Sequence, residues 1–135
     1  MASGIYTNFK QNLMNGSYKL AVDTINVGLM TSSFSFNAAN ILWATVNANE
    51  ISGTGYTAGG MALTGLSVTN SGTMGVWTAS NVVWTSSTFS TAFAVIYDIS
   101  ASNNLIAAID FGGTLSVSTG TFTIAWSVSG IITLS

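Results

Sequence analysis

Ionic side chains are nearly missing from this chain. Lys10 and Lys19 are its only basic residues, and Asp23, Glu50, Asp98 and Asp110 its only acids, so 4% of 135 residues are charged. A typical soluble domain carries ~25%. Two cations cannot neutralise a run of phosphates, so a nucleic-acid partner is excluded. Cysteine is absent, which removes disulfides and thiolate chemistry and leaves the redox compartment unreadable. Histidine is absent too, and without both residue types nucleophilic triads and zinc sites lose their usual parts. Proline is absent, so no strand edge is blunted that way. No apolar run approaches the length of a membrane helix. The start, MASGIYTNFKQ, has no basic region followed by an apolar stretch, so no export signal is expected. An outer-membrane barrel, which needs export, is not expected either.

What fills the sequence is neutral. Ser, Thr and Asn number 19, 18 and 12, while 48% of residues are apolar, including seven Phe, four Trp and four Tyr. Disordered chains lack such aromatics. A length of 135 residues suits one domain, 1–135, able to bury roughly 68% of its unfolded surface. A folded chain with so neutral a skin lacks the charge repulsion that keeps monomers apart, so much of its surface is expected to meet other protein.

One helix is expected, in an N-terminal arm over 1–18. Tyr6, Phe9, Leu13 and Met14 recur at helical spacing, with Ser3 or Thr7 as cap and Gly16 as stop. So short a helix must pack on something, either the chain's own core or a neighbouring subunit. The period then becomes two. In DTINVGLM, Ile25, Val27 and Leu29 share a face; TAFAVIYDI is apolar on both faces and reads as central; in TGTFTIAWSVSG, Phe122, Ile124, Trp126 and Val128 share a face. Further strands are expected over 40–46, 61–69, 73–78, 81–85, 104–111 and 131–134. Breaks are expected at Asn70-Ser71-Gly72, Ser102-Asn103-Asn104, Gly112-Gly113 and Ser129-Gly130. Strands at this spacing without helices between them predict an all-β fold, an antiparallel β-sandwich or jelly-roll-like barrel. With neither proline nor charge on their flanks, its edges are expected to be closed into a barrel or covered by another chain.

The stretch SGTGYTAGG, residues 52–60, raises the question of a phosphate loop. A Walker-type loop needs Gly-Lys-Ser/Thr after its glycines, and here Met61 follows Gly60. A dinucleotide loop needs a following helix, and MALTGLSVT reads as a strand. The glycines therefore give positive φ or close backbone approach, with Tyr56 as the loop's anchor. Among the acids, a hairpin turning through 100–104 puts Asp98 beside 105–106 and Asp110 beside 93–94, too far apart for paired acid/base work. Asp23 is expected to pair with Lys19. Calcium held by Asp and backbone carbonyls has no motif here, and no catalytic residue, metal site or cofactor is assigned. Of the tryptophans, at least three of Trp43, Trp77, Trp84 and Trp126 are expected in the core, and Trp43 is the best surface candidate.

Taken in order, YTNFKQNLMNG, DTINVGLMTSSFSFNAAN, NEISGTGYTAGG, NVVW, FAVIYD, LIAAIDFGG and GTFTIAWSVSGIITL resemble a family of small virion proteins of tailed bacteriophages, over nearly the whole chain. The resemblance implies an all-β structural protein of the particle, several relatives being head decoration (cement) proteins. The chain departs from the family pattern in charge. Neutral Asn26, Gly28, Asn47 and Ala92 stand where the resemblance leads one to expect Lys, Asp or Arg. This leaves the fold intact and undercuts docking by charge. The expectation is a non-enzymatic decoration protein made in the host cytoplasm. It would sit on the virion head as a homotrimer against the major capsid protein, with no nucleic-acid, membrane or cofactor partner. The alternatives are a tail tube or fibre component and a carbohydrate-binding module. Candidate contact residues are Tyr6, Phe9 and Leu13 of the arm, then Gly53, Gly55, Tyr56, Gly59 and Gly60 of the loop.

Overall fold

Alternating apolar residues fix the scaffold. The structure, a computed structural model, describes residues 3–135. A five-stranded antiparallel sheet has the order β1-β7-β6-β2-β3: β1 Gly4–Ile5, β2 Ile25–Met30, β3 Met61–Ala62, β6 Val82–Asp98 and β7 Asn104–Ile124. A second sheet has the order β4-β5-β8: β4 Ser67–Ser71, β5 Met74–Thr78 and β8 Ile132–Leu134. The fold is all-β, as the patterning predicts. Neither sheet closes on itself among the described residues, so the expected barrel is not seen.

The scaffold is one long hairpin. β6 and β7 run 17 and 21 residues where shorter strands separated by breaks were expected. The inner part, residues 91–98 of β6, is buried throughout, because β2 pairs along it from Ile25↔Asp98 to Met30↔Phe93. Beyond that the hairpin projects as a two-stranded ribbon with β6 alternately buried and exposed. The expected break at Gly112-Gly113 is a bulge instead. Between Phe93↔Asp110 and Thr91↔Leu115, two steps along β6 face five along β7. The three extra residues include the two glycines, whose φ of +82° and +150° other residues rarely adopt. The strand goes on because β6 continues opposite it and offers backbone partners. The hairpin's turn matches expectation, with Ser102 and Asn103 left-handed at φ 58° and 60°.

Two segments differ from the sequence pattern. Residues 40–46 form no strand: α2, Trp43–Val46, leads into a 3-10 turn, Asn47–Asn49. Trp43 and Val46, three apart on one helical face, are both buried, whereas a strand would have put them on opposite faces. Trp43 stacks on Tyr97 at 4.3 Å, lying over Gly28, where any Cβ would strike the indole. At the other end, β7 stops at Ile124, and Val128 is fully exposed rather than continuing the Phe122 face.

α1, Thr7–Met14, has the expected extent, and Gly16 at φ +77° follows its end. Neither expected cap forms. Tyr6 occupies the N-cap with no side-chain bond, Thr7 is the first helical residue, and Ser3 Oγ accepts the Asp110 N–H instead, at 2.9 Å. Tyr6 and Phe9 are buried in the core, Tyr6 against Phe36 and Phe9 edge-on to Tyr18 at 4.8 Å. The small sheet is anchored by Trp77, whose indole N–H donates to the Leu20 carbonyl at 3.0 Å.

Candidate interaction surface

The glycine-rich loop is held from inside by an acid. Tyr56 packs its ring between Trp84 and Phe89 and donates its hydroxyl to Glu50 Oε2 at 2.5 Å. The same hydroxyl accepts the Leu29 N–H at 3.0 Å, on the side of β2 away from β6 and beyond the short β3. Burial, reinforced by the bond to Glu50, raises the Tyr56 pKa, so the hydroxyl stays a neutral donor. Glu50 also accepts the Gly59 N–H at 2.7 Å, and the Gly59 carbonyl accepts from Tyr97 at 2.5 Å and from Asn26 Nδ2 at 3.2 Å. The loop's amide thus already grips an anion, and that anion is the chain's own Glu50. At Gly60, with φ +86°, an added Cβ would run into the Val27 carbonyl. The glycines serve close approach, and the loop presents an exposed tip from Gly53 to Gly55 and at Thr57 and Ala58. Thr54 bridges to Thr88, its carbonyl accepting that N–H at 3.0 Å, which ties the tip to the ribbon.

The arm is placed differently from the contact role expected of it. Tyr6 and Phe9 lie inside the core and offer no surface to a neighbour, while Leu13 is half-buried. What α1 exposes is Met14, 83% accessible, with Thr7, Lys10 and Gln11. Helical periodicity identified the face that packs, and in this chain that face packs at home.

The ribbon presents an unclosed surface. Beyond β1, which pairs only with Ala107 and Ala108, the outer edge of β7 has no strand beside it among the described residues. From Phe111 to Ile124 that edge contains no charged residue. Alongside it runs an apolar groove of about 630 Å³, lined by Ile109, Phe111, Leu115, Phe122, Trp126 and Ile131 among others. Leu115 is 45% exposed.

The tryptophans reverse the expected order at one position. Trp43, the surface candidate, is buried with Trp77 and Trp84, and Trp126 is the half-exposed one. Its indole N–H donates to the Ser80 carbonyl at 3.1 Å. A sugar platform of several exposed rings is therefore not formed among the described residues. Asp98 pairs opposite Asn104, and Asp110 opposite Phe93. Five steps along β6 separate these positions, ~17 Å at ~3.3 Å per step, so no shared cleft exists. Asp110 Oδ1 accepts the Gly112 N–H at 2.8 Å, and Asp98 Oδ1 the Ala101 N–H at 3.1 Å. Asp23 Oδ2 holds the Lys19 backbone N–H at 2.9 Å. Among the described residues no three acids gather into a metal site, and no helix is long and apolar enough to cross a membrane.

Comparison with protein-family models, with curated proteins and with solved structures gave no match to this chain.

Proposed function

We propose that this chain is a structural protein of a bacteriophage virion, a decoration protein that binds the outer face of the head as a homotrimer against the major capsid protein. One observation carries the reading. The outer part of the β6–β7 hairpin is a polar, uncharged ribbon with an open edge and an apolar groove beside it. Proteins that stay monomeric guard such edges with lysine, proline or cover, and among the described residues this edge has none of them from Phe111 onward. The resemblance to small phage virion proteins, which spans the chain in order, supports the same reading. The exposed Gly53–Gly55 tip, Thr57 and Ala58 belong to the contact surface, and the buried Tyr6 and Phe9 do not. The role is mechanical. A protein that binds only the assembled lattice opposes its opening by mass action, and several weak contacts in one oligomer add as avidity.

Cryo-electron microscopy of purified particles tests the proposal. Copies spread over the head, in fixed ratio to the major head protein, are expected. Stacked rings along the tail assign the chain to the tail instead, and absence from the particle ends the reading. Because so few charges take part, occupancy is expected to hold steady between about 50 and 500 mM salt, and a steep fall would contradict docking by a neutral surface.

A further inference from the structure

Asp98 is fully buried at the end of β6, and its two carboxylate oxygens are treated unequally. Oδ1 accepts the Ala101 N–H at 3.1 Å, while Oδ2 has no conventional donor. A buried acceptor without a donor is costly. The register supplies the missing partner. Asp98 lies opposite Ile25, so Asp23, two residues earlier, falls diagonally across from it on the same face. The carboxyl of Asp23 is within hydrogen-bonding reach. Its Oδ2 is occupied by the Lys19 N–H at 2.9 Å. The two segments are clamped on either side of this contact: Ile99 N–H donates to the Thr24 carbonyl at 2.9 Å, and Thr24 N–H to Ser100 Oγ at 2.9 Å. Two facing carboxylates cannot bond each other unless a proton lies between them.

We propose that Asp98 and Asp23 share one proton, and that this acid–carboxylate bond latches the Lys19–Asp23 turn to the tip of the β6–β7 hairpin until rising pH removes it. Among the described residues no other donor reaches Oδ2, and the Ser100 backbone N–H acts on the carboxyl alongside that of Ala101. From β7 the opposing residue is Asn104, which does not titrate. From the segment after α1, the Tyr18 hydroxyl lies near enough to feel Asp98, is itself pushed up by burial, and turns to the Leu105 carbonyl at 3.4 Å. Lys19 contributes its backbone N–H. Burial first, then the bond and the like charge of Asp23, lift the Asp98 pKa from the usual carboxylate range to about 7. The native chain therefore holds a proton that the unfolded chain has already lost, in the window from about 4 to about 7. Stability contributed by the latch is complete below that window and declines as pH rises through it. Opening the latch loosens the turn whose Leu20 carbonyl anchors Trp77 of the small sheet.

The test uses the purified full chain and does not depend on its proposed place in a virion. Denaturant unfolding from pH 4 to 9 is expected to show stability falling toward pH 8, with about one proton released per chain. Asp98→Asn supplies a permanent N–H donor to Asp23, so it is expected to abolish that slope and to exceed the parent at pH 8. Carbon-13 NMR titration of the unsubstituted chain gives a second readout independent of any variant's folding. It is expected to show a carboxyl with a midpoint between pH 6 and 8. The proposal is overturned if the parent's stability is flat from pH 5 to 8, if Asp98→Asn keeps the parent's slope, or if no carboxyl titrates in that range. It is also overturned if millimolar calcium restores stability at pH 8 in the parent, since a cation would then be the natural occupant.

Discussion

Replacing Tyr56 by Phe removes one oxygen atom and two interactions. The ring keeps its place between Trp84 and Phe89. Glu50 loses the short hydroxyl donor and keeps only the Gly59 N–H, and the Leu29 N–H loses its acceptor. A hydrogen bond to a charged group contributes ~1.5–3 kcal/mol, and an orphaned buried N–H costs ~1–3 kcal/mol. Some relief comes from water entering at the exposed loop, so a net loss of about 3 kcal/mol is expected. For 135 residues the unfolding entropy is ~0.28 kcal/mol/K, which makes this a fall of about 10 °C in Tm. Calorimetry is the assay, with Tyr97→Phe as internal control. That variant loses one bond to the Gly59 carbonyl, which keeps Asn26 as donor, so a drop of about 3 °C is expected. If Tyr56→Phe melts within about 2 °C of the parent, or no lower than Tyr97→Phe, the view that an internal acid organises the loop is wrong.

Gly60→Ala places a methyl against the Val27 carbonyl at a φ that side chains rarely adopt; a loss of about 4 kcal/mol is expected in urea unfolding, and near-parental stability would mean the loop is free to rearrange. Trp84→Ala empties a fully buried site and is expected to cost about 4 kcal/mol, whereas Trp126→Ala at its half-exposed position should cost about half as much. Equal losses by the same measurement would show that the groove wall is as tightly packed as the core.

The central strands were legible because the inner part of β6 is apolar on both faces, as a strand covered on both sides must be, and β2 offers Ile25, Val27 and Leu29 on one face to pair beside it. The length of the hairpin was not. Its outer half is written in Ser, Thr and Gly, residues equally at home in loops, and only the facing strand decides that they stay extended. Trp43 was misplaced for a related reason. NILWATV has no regular period to mark Trp43 as core, and the flat space above Gly28 and beside Tyr97 exists only once three distant segments have met. Glu50 was visible as an acid, but nothing local announces that a tyrosine six residues on and a glycine nine residues on will turn back to it.

The pairing of β1 with Ala107 and Ala108, and of β2 with β6 as far as Asp98, sets an order of events at the ribosome. Within the first thirty residues, β2 waits about 35 residues for β3 and about seventy for β6, and β1 waits about a hundred for β7. Contacts so distant along the chain make for slow folding, and the nascent segment waits with its apolar faces unpaired and only Lys10, Lys19 and Asp23 as charges to keep it from its neighbours. Under the proposed decoration role, the supply of copies would be set by how fast each chain finishes and closes on its own beginning.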